Sequence, residues 1–291
     1  MIPFELVEPR SLNEALKCLD RDDPYVGPIA GYTAVMLMMK PGLFRPQRLV
    51  SLRGLGERFS RIETAADGSL RIGAMVRLAQ LERSAAVERH APVITRALKR
   101  LSNRRVRNVA TLGGHLAHGD PHLDLPPVLI ALDARLVIAA RTGEREMPLA
   151  ALITGYYETV LRHDEVIAEV IVPPQGGRRS AYLKYTARSA DDWPALGLAI
   201  SLEADGDTVR NSRIILGAAT EKPTRLAGAE AALANARLDD RSLKRAGDAA
   251  AAEAEIVGDQ HGSAAYKQAL LRVCLARAAT SAIASSSGAA S

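Results

Sequence analysis

Two glycine turns are the first residues in the chain whose types and spacing suggest chemistry. The first glycine turn covers residues 30–34 and the second covers residues 111–115. Glycine gives the backbone enough freedom for consecutive N–H groups to converge on one anion. Either turn could therefore hold a pyrophosphate, but a tight turn that binds nothing is the commoner use of such glycines.

The two turns match neither of the common nucleotide-binding patterns. They contain neither the GxGxxG fingerprint of a Rossmann site nor the GxxxxGK[ST] phosphate loop. A nicotinamide site or an ATPase is therefore not supported. The sequence also lacks a convincing catalytic triad or a pair of carboxylates for acid–base work, so we predict no catalytic residue.

A cluster of polar residues follows the second glycine turn and superficially resembles a metal site. It consists of His115, His118, Asp120 and His122. The spacing fits no known zinc pattern, and histidines of a surface loop are the better interpretation. The two cysteines lie far apart without CxxC spacing, so neither a disulfide framework nor a cluster held by this chain is indicated. We predict no metal site.

Composition limits the classes of protein to which the chain can belong. It has 291 residues, 47% hydrophobic and 24% charged, which suits one large or two medium globular domains. Aromatic residues make up only 4%, so stacking platforms for nucleic acid are scarce. The basic stretch at residues 99–107 could contact nucleic acid, but an acidic protein partner or a solvated helix face explains it as well. No signal peptide or membrane span is evident, which favours a cytoplasmic protein.

The elements that must position the glycine turns alternate between strands and helices. Residues 4–9 read as a strand, and Ser11 is placed to cap a helix to residue 19. A hairpin is predicted around Asp67-Gly68, and helical patterns follow at residues 78–90, 92–102 and 124–132, with the second glycine turn as a loop between helices. The fold class is α+β.

The glycine- and proline-rich residues 173–177 form the clearest linker, and we place the domain boundary there.

The second half predicts a sheet covered by helices. Residues 180–187, 195–204 and 211–217 have strand periodicity, and residues 225–235, 242–255 and 263–281 have helical periodicity. We expect a three-stranded antiparallel sheet with helices, and a disordered tail of Ala, Ser and Gly at residues 282–291.

The segment at residues 106–127 resembles the FAD-binding medium subunit of molybdenum hydroxylases, the carbon monoxide dehydrogenase and xanthine dehydrogenase family. That family has a T-[IL]-G-G-N stretch, followed nine residues after the asparagine by an aspartate in a D-x-x-P context, and Asp124 stands at that position. The first glycine turn sits where the family has its first FAD loop. Residues 156–159 and 164–167 resemble its domain-closing segment, and residues 182–184 and 188–193 are similar to its K-x-x-x-R-x-x-D-[DY] pattern.

The resemblance implies a fold and domain limits. It implies a two-part FAD-binding domain of the PCMH (vanillyl-alcohol oxidase-like) type at residues 1–175, with subdomains at about 1–55 and 56–175. A domain like the C-terminal domain of carbon monoxide dehydrogenase flavoproteins is then expected at residues 178–281.

The resemblance also implies the cofactor-binding residues. The two turns would wrap the FAD diphosphate with backbone amides, Asp124 would accept hydrogen bonds from flavin hydroxyls or cap a helix, and Lys184 would approach the flavin. Leu101, Ile167 and Ala168 would line the flavin or belong to the core, and Trp193 would cover the ring or fill the core. The implied residues are Ala30, Gly31, Tyr32, Thr33, Ala34, Leu101, Thr111, Leu112, Gly113, Gly114, His115, Asp124, Ile167, Ala168, Lys184 and Trp193.

Two residues depart from the family pattern. Tyr32 replaces the second glycine of the common A-G-G motif, and His115 replaces the usual asparagine after the paired glycines. The first loop must then accommodate a side chain, and the second gains a ring that can titrate.

The function implied by the resemblance is electron transfer within a heteromeric complex. An iron–sulfur small subunit would carry two [2Fe-2S] clusters, and a large subunit would carry the molybdenum cofactor, as a dimer of heterotrimers. This chain would pass electrons from the clusters through FAD to an external acceptor. The alternatives are a partner protein of the same fold with weakened or lost FAD binding, and a stand-alone flavin oxidase.

Overall fold

The first part of the chain is a small layer of parallel strands and two helices. A computed structural model describes residues 3–189 and 191–284. It has β1 (Glu5–Val7), α1 (Leu12–Cys18), β2 (Val26–Ile29), α2 (Thr33–Met39) and β3 (Arg48–Ser51), with the strands parallel in the order β1–β3–β2. Ser11 caps α1, because its hydroxyl oxygen accepts a hydrogen bond from the Glu14 amide at 3.2 Å.

A five-stranded antiparallel sheet forms the centre of the first domain. Its strands are β4 (Ile62–Thr64), β5 (Leu70–Gly73), β6 (Arg135–Ala140), β7 (Gly143–Pro148) and, after a small hairpin of β8 (Ile153–Gly155) and β9 (Glu158–Thr159), β10 (Val166–Val172). The order is β4–β5–β10–β6–β7. The predicted hairpin at Asp67-Gly68 is confirmed as the turn that joins β4 to β5.

Six short helices pack against this sheet. They are α3 (Leu78–Arg83), α4 (Ala85–His90), α5 (Pro92–Leu98), α6 (Arg104–Arg107), α7 (Leu112–Ala117) and α8 (Leu125–Ala131), and the 3-10 turns Glu57–Ser60 and Leu149–Ala151 complete the layer. The prediction that the second glycine turn is a loop is wrong for residues 112–114, which form the first turn of α7. Thr111 caps this helix through its side chain, and that cap stabilises a helix start despite two glycines.

The second domain is an antiparallel sheet covered on one side by helices. Its elements are β11 (Arg179–Tyr185), β12 (Leu196–Asp205), β13 (Thr208–Gly217), β14 (Thr224–Arg225), α9 (Ala227–Leu233), α10 (Asp240–Glu253) and α11 (Ala264–Ala284). The sheet has four strands in the order β11–β12–β13–β14, so the expected three-stranded sheet is wrong. β14 has only two residues, too few to show a strand period in the sequence. The expectation of a disordered tail is wrong for residues 282–284, which continue α11, and residues 285–291 lie outside the described residues.

One apolar cluster crosses the boundary between the two domains. Ala199 and Ile215, from β12 and β13, belong to the same buried cluster as Val128 and Leu129 of α8. This contact places the end of β11 beside the loop that follows α7. Among the described residues, no helix combines the length and apolar character of a membrane span.

Candidate functional site

The first glycine turn lies directly against the backbone that precedes the second. A Cβ atom on Gly31 would lie 2.3 Å from the Val109 carbonyl oxygen and 2.7 Å from the Ala110 Cα atom. Real Cβ atoms do not approach backbone atoms this closely, so the contact requires glycine. On the other side, a Cβ atom on Gly114 would lie 3.6 Å from the Ala30 Cβ atom. The structure therefore brings the two predicted turns together.

The first glycine turn presents unused backbone donors. In the part of the chain that the structure describes, the amides of Gly31, Tyr32, Thr33 and Ala34 donate to no other protein group, and α2 has no side-chain cap. The first amides of a helix lack intrahelical acceptors and carry partial positive charge. Several donors at this turn are thus available to an anion.

Tyr32 is accommodated in the first turn by a left-handed backbone. Its φ is 62°, a region that favours glycine and is strained for a tyrosine. The ring packs beneath the Arg53 guanidinium, which lies 4.1 Å from the ring centroid, and the Tyr32 hydroxyl lies 3.4 Å from the Ser51 Oγ atom. These contacts hold the side chain to one side of the turn.

The second glycine turn uses its donors within the protein. The Leu112 amide donates to the Val76 carbonyl at 2.9 Å, and the Gly113 amide donates to the Ala74 carbonyl at 2.8 Å. The Gly114 amide donates to the Thr111 Oγ1 atom at 3.2 Å. The His115 amide likewise donates to the Thr111 carbonyl at 2.9 Å. The amides of residues 112–115 are therefore already engaged, unlike those of the first turn.

His115 places a neutral ring beside the second turn. Burial lowers the pKa of His115 to about 3, and the charges of His118 and Lys184 act in the same direction. The Nε2 atom of His115 is buried and has no hydrogen-bond partner. A buried ring nitrogen without a partner costs free energy, so this atom is available to a hydrogen-bonding group of a ligand.

Asp124 and Lys184, both predicted site residues, form a buried ion pair between the domains. The Lys184 Nζ atom donates to Asp124 Oδ2 at 3.0 Å and to the Arg100 carbonyl at 2.9 Å. The Tyr182 hydroxyl donates to Asp124 Oδ1 at 2.6 Å. Burial raises the pKa of the Asp124 carboxyl, while the Lys184 ammonium opposes that shift. Both Asp124 and Lys184 are only 4% exposed, so each needs the other as a charge partner.

Two details of this pair differ from the sequence interpretation. Asp124 stands at the N-cap position before α8, as one interpretation expected, but its backbone is helical and its side chain makes no capping hydrogen bond. Tyr182 was not predicted, although it stands two residues before Lys184 on the same face of β11. That spacing was the signal from which Tyr182 could have been found.

The three apolar residues expected near the cofactor are all buried. Leu101 and Ile167 belong to the main core, together with Ala110 and Leu112 of the second turn. Ala168 belongs to a separate cluster with α1 and β3, and its carbonyl accepts a hydrogen bond from the Ala74 amide at 2.9 Å. Because the Ala74 carbonyl also accepts a hydrogen bond from the Gly113 amide, Ala74 links strand β10 to the second turn.

Trp193 lies against a histidine of the loop between α7 and α8. Its ring stacks on His122 with centroids 5.8 Å apart, and the residue is 46% exposed. It is therefore not filler of the core, as one interpretation had it.

The basic stretch divides between surface and interior. Arg107 is buried and donates to Glu82 at 2.9 Å, whereas Lys99, Arg104 and Arg105 are exposed. Over residues 3–189 and 191–284, no group of His, Cys, Asp and Glu has the arrangement of a metal site.

Comparisons with known proteins cover both domains. Residues 2–175 match the family described as the FAD binding domain in molybdopterin dehydrogenase, and residues 181–282 match the carbon monoxide dehydrogenase flavoprotein C-terminal domain. The chain is 32% identical over 287 residues to the carbon monoxide dehydrogenase medium chain of Hydrogenophaga pseudoflava, covering 96% of this chain and 97% of that one.

Two further relatives extend the likeness. The xanthine dehydrogenase FAD-binding subunit of Escherichia coli O157:H7 is 31% identical over 236 residues, which is 80% of each chain. A solved structure of carbon monoxide dehydrogenase from Hydrogenophaga pseudoflava superimposes with a TM-score of 0.92 at 33% identity, covering 98% of this chain and 99% of that chain. With its two domains matched along nearly their whole length, the chain belongs to the family of FAD-binding medium subunits of molybdenum hydroxylases.

Proposed function

We propose that this chain carries FAD and passes electrons from [2Fe-2S] clusters of a small subunit to an external acceptor. A large subunit with the molybdenum cofactor completes the complex, which we propose is a dimer of heterotrimers. The observation that carries the proposal is the contact between the two glycine turns, of which the first has free amide donors. When bound, FAD supplies the redox chemistry, and the residues of this chain bind and orient it.

The domain limits form part of the proposal. We propose a FAD-binding domain at residues 1–175, with parts at about 1–55 and 56–175, and a C-terminal domain at residues 178–281. The separate parallel and antiparallel sheets of the first domain support a two-part architecture of the PCMH type.

The first glycine turn would hold the FAD diphosphate. Its free amides on residues 31–34 are aimed by the start of α2, and the Thr33 hydroxyl can add a further hydrogen bond. Ala30 and Gly31 allow close approach, because neither has a long side chain.

The second glycine turn would contribute side chains more than amides. Its backbone donors at Leu112 and Gly113 are engaged, but the Thr111 hydroxyl proton and the unpartnered His115 Nε2 atom remain for FAD. Gly114 is exposed and lets the cofactor lie close to the backbone.

The ion pair of Asp124 and Lys184 retains capacity for the flavin. An ammonium has three N–H donors, and the contacts of Lys184 use two of them. The third can stabilise the negative charge of reduced flavin. Asp124 accepts two hydrogen bonds and can accept more from flavin hydroxyls. We further propose that Leu101, Ile167 and Ala168 line the flavin and that Trp193 covers its ring.

An absorbance spectrum of the purified chain tests the proposal. The chain saturated with FAD and freed of excess should show flavin bands, with about one FAD per chain. A chain that stays colourless after incubation with excess FAD contradicts the proposal and favours a partner protein that has lost the cofactor.

A further inference from the structure

A buried histidine links the two domains outside the glycine turns. His122 lies in the loop between α7 and α8 and is 7% exposed. Its Nδ1 atom lies 3.1 Å from Asp120 Oδ1, and its Nε2 atom lies 3.1 Å from Asp259 Oδ2. Asp120 belongs to the same loop, whereas Asp259 precedes α11 of the second domain. The ring therefore bridges one carboxylate from each domain.

This geometry requires a protonated ring. A neutral imidazole has one N–H group and can satisfy only one of two facing carboxylates, whereas an imidazolium satisfies both. Burial alone disfavours the charge, but the hydrogen bonds to Asp120 and Asp259 outweigh it and raise the pKa of His122.

The surrounding charges balance only when His122 is protonated. The Lys267 Nζ atom is fully buried and donates to Asp259 Oδ2 at 2.8 Å and to the Ala218 carbonyl at 3.2 Å. Two carboxylates then face two cations. Among the described residues, the other titratable groups near the ring or its two carboxylates are His118, His261, Tyr156 and Tyr157. Burial lowers the pKa of His118 and raises that of Tyr157, so both are neutral near neutral pH.

Trp193 rests on the face of this same ring. The two rings are stacked at 5.8 Å with an angle of 25° between their planes. An imidazolium is attracted to the face of an indole ring, which neutral imidazole is not to the same degree. Attraction to the protonated His122 ring therefore explains why this half-exposed tryptophan packs against it.

We propose that protonated His122 is a latch that joins the two domains through Asp120 and Asp259 and positions Trp193. It is a positioning residue, since it acts on the proposed flavin site only through Trp193. That last step depends on the proposed function, whereas the latch itself does not.

The sign of the pH dependence follows from the direction of the shift. Because the pKa of His122 is raised above its usual 6.5, the latch contributes its full stability below that value. The contribution is lost as the pH rises through the pKa of the folded protein. Loss of the proton leaves the buried Asp120 carboxylate and the more exposed Asp259 carboxylate facing one lysine, so Trp193 and the interdomain contact are released together.

Trp193 is the only tryptophan in the chain, so fluorescence excited at a wavelength that tyrosine does not absorb reports on this site alone. A stacked imidazolium quenches indole emission by accepting an electron from its excited state. Emission of the full-length chain without FAD should therefore rise in one transition between about pH 5 and about pH 9, with a midpoint above that of an ordinary histidine. A flat titration, or a midpoint below 6.5, overturns the proposal.

Matched variants test whether the transition belongs to His122. His122→Gln should abolish it, and Asp259→Asn should move the midpoint to lower pH. His261→Gln is the control, because that ring lies 5.5 Å from His122 without joining its hydrogen bonds, and it should leave the transition unchanged. A transition that persists in H122Q or disappears in H261Q contradicts the proposal. If H122Q does not fold, the wild-type titration and the midpoint of D259N still test whether protonation of His122 controls the emission of Trp193.

Added FAD separates this inference from the proposed function. If the chain shows the tryptophan transition but binds no FAD, the latch is supported and the proposed role as FAD carrier is contradicted. If the chain binds FAD but shows no transition, only the latch is contradicted.

Discussion

In the first glycine turn the amides of Thr33 and Ala34 donate to no described protein group, whereas in the second the amides of Leu112 and Gly113 bind the carbonyls of Val76 and Ala74. The first turn places glycine before a helix and the second places it in the first turn of a helix, and the two helices have seven and six residues. Glycine therefore serves two purposes here. In the first turn it permits contact between loops while leaving donors free, and in the second it lets a helix start pack tightly against Ala74, the residue that follows β5.

This difference predicts that the two turns respond differently to the addition of a methyl group. The first should lose cofactor affinity as well as stability, and the second should lose mainly stability.

Gly31→Ala should have the largest effect. Its Cβ atom would meet the Val109 carbonyl at 2.3 Å, and backbone atoms cannot rotate away as a side chain can. We expect a loss of about 1–3 kcal/mol in the free energy of unfolding. Because the turns must separate, FAD affinity should also fall by at least about tenfold, measured by calorimetric titration.

The matched control for that variant is Gly27→Ala, in the neighbouring strand. A Cβ atom there would lie 3.9 Å from the Phe44 ring, an ordinary contact. G27A should bind FAD as the wild type does. If G31A binds equally well, the first turn is not the diphosphate site.

Gly113→Ala should destabilise the protein while changing FAD affinity less. Its Cβ atom would lie 2.6 Å from the Ala74 Cβ atom, and the expected loss in the free energy of unfolding is again about 1–3 kcal/mol. The double variant G113A/A74G removes the opposing methyl group and should recover part of that loss in chemical denaturation. No recovery would mean that the Ala74 contact is not the cause.

Thr111→Val should have a smaller effect. It removes the oxygen that accepts from the Gly114 amide, and loss of such a cap costs about 1 kcal/mol. Thr111→Ser keeps the oxygen and should retain most of the stability in the same measurement. A loss in T111S that exceeds the loss in T111V would show that the methyl group, not the cap, matters.

Tyr32→Asn should have the smallest effect on stability. Asparagine tolerates the left-handed backbone at φ 62°, which offsets the loss of the Arg53 contact with the ring, and each contribution is about 1 kcal/mol. Thermal unfolding and FAD titration should therefore both resemble the wild type. A large loss of affinity would instead show that the Tyr32 ring contacts the cofactor.

Local features of the fold were predictable from the sequence, and contacts between distant segments were not. The Asp67-Gly68 hairpin and the Ser11 cap depend on residues a few positions apart, and both are confirmed. The fourth strand β14 was missed because two residues carry no periodicity. The start of α7 was missed because paired glycines are typical of turns.

The candidate site shows the same limit. The resemblance selected Asp124 and Lys184, but nothing local indicated that they pair with each other across 60 positions. His122 was interpreted as a loop histidine, and its bridge to Asp259, 137 residues away, follows only from the packing of the domains. The two turns have similar residue types, so the sequence also does not reveal that the amides are free in the first turn and hydrogen-bonded in the second.

Residue-resolved amide hydrogen exchange, with and without FAD, tests the central claim most directly. Without FAD, the amides of Leu112 and Gly113 should exchange slowly, because their hydrogen bonds are present, and those of Thr33 and Ala34 should exchange fast. Adding FAD should slow exchange at Thr33 and Ala34 and leave the second turn nearly unchanged. Protection by FAD that is confined to the second turn, or absent from both, would contradict the account.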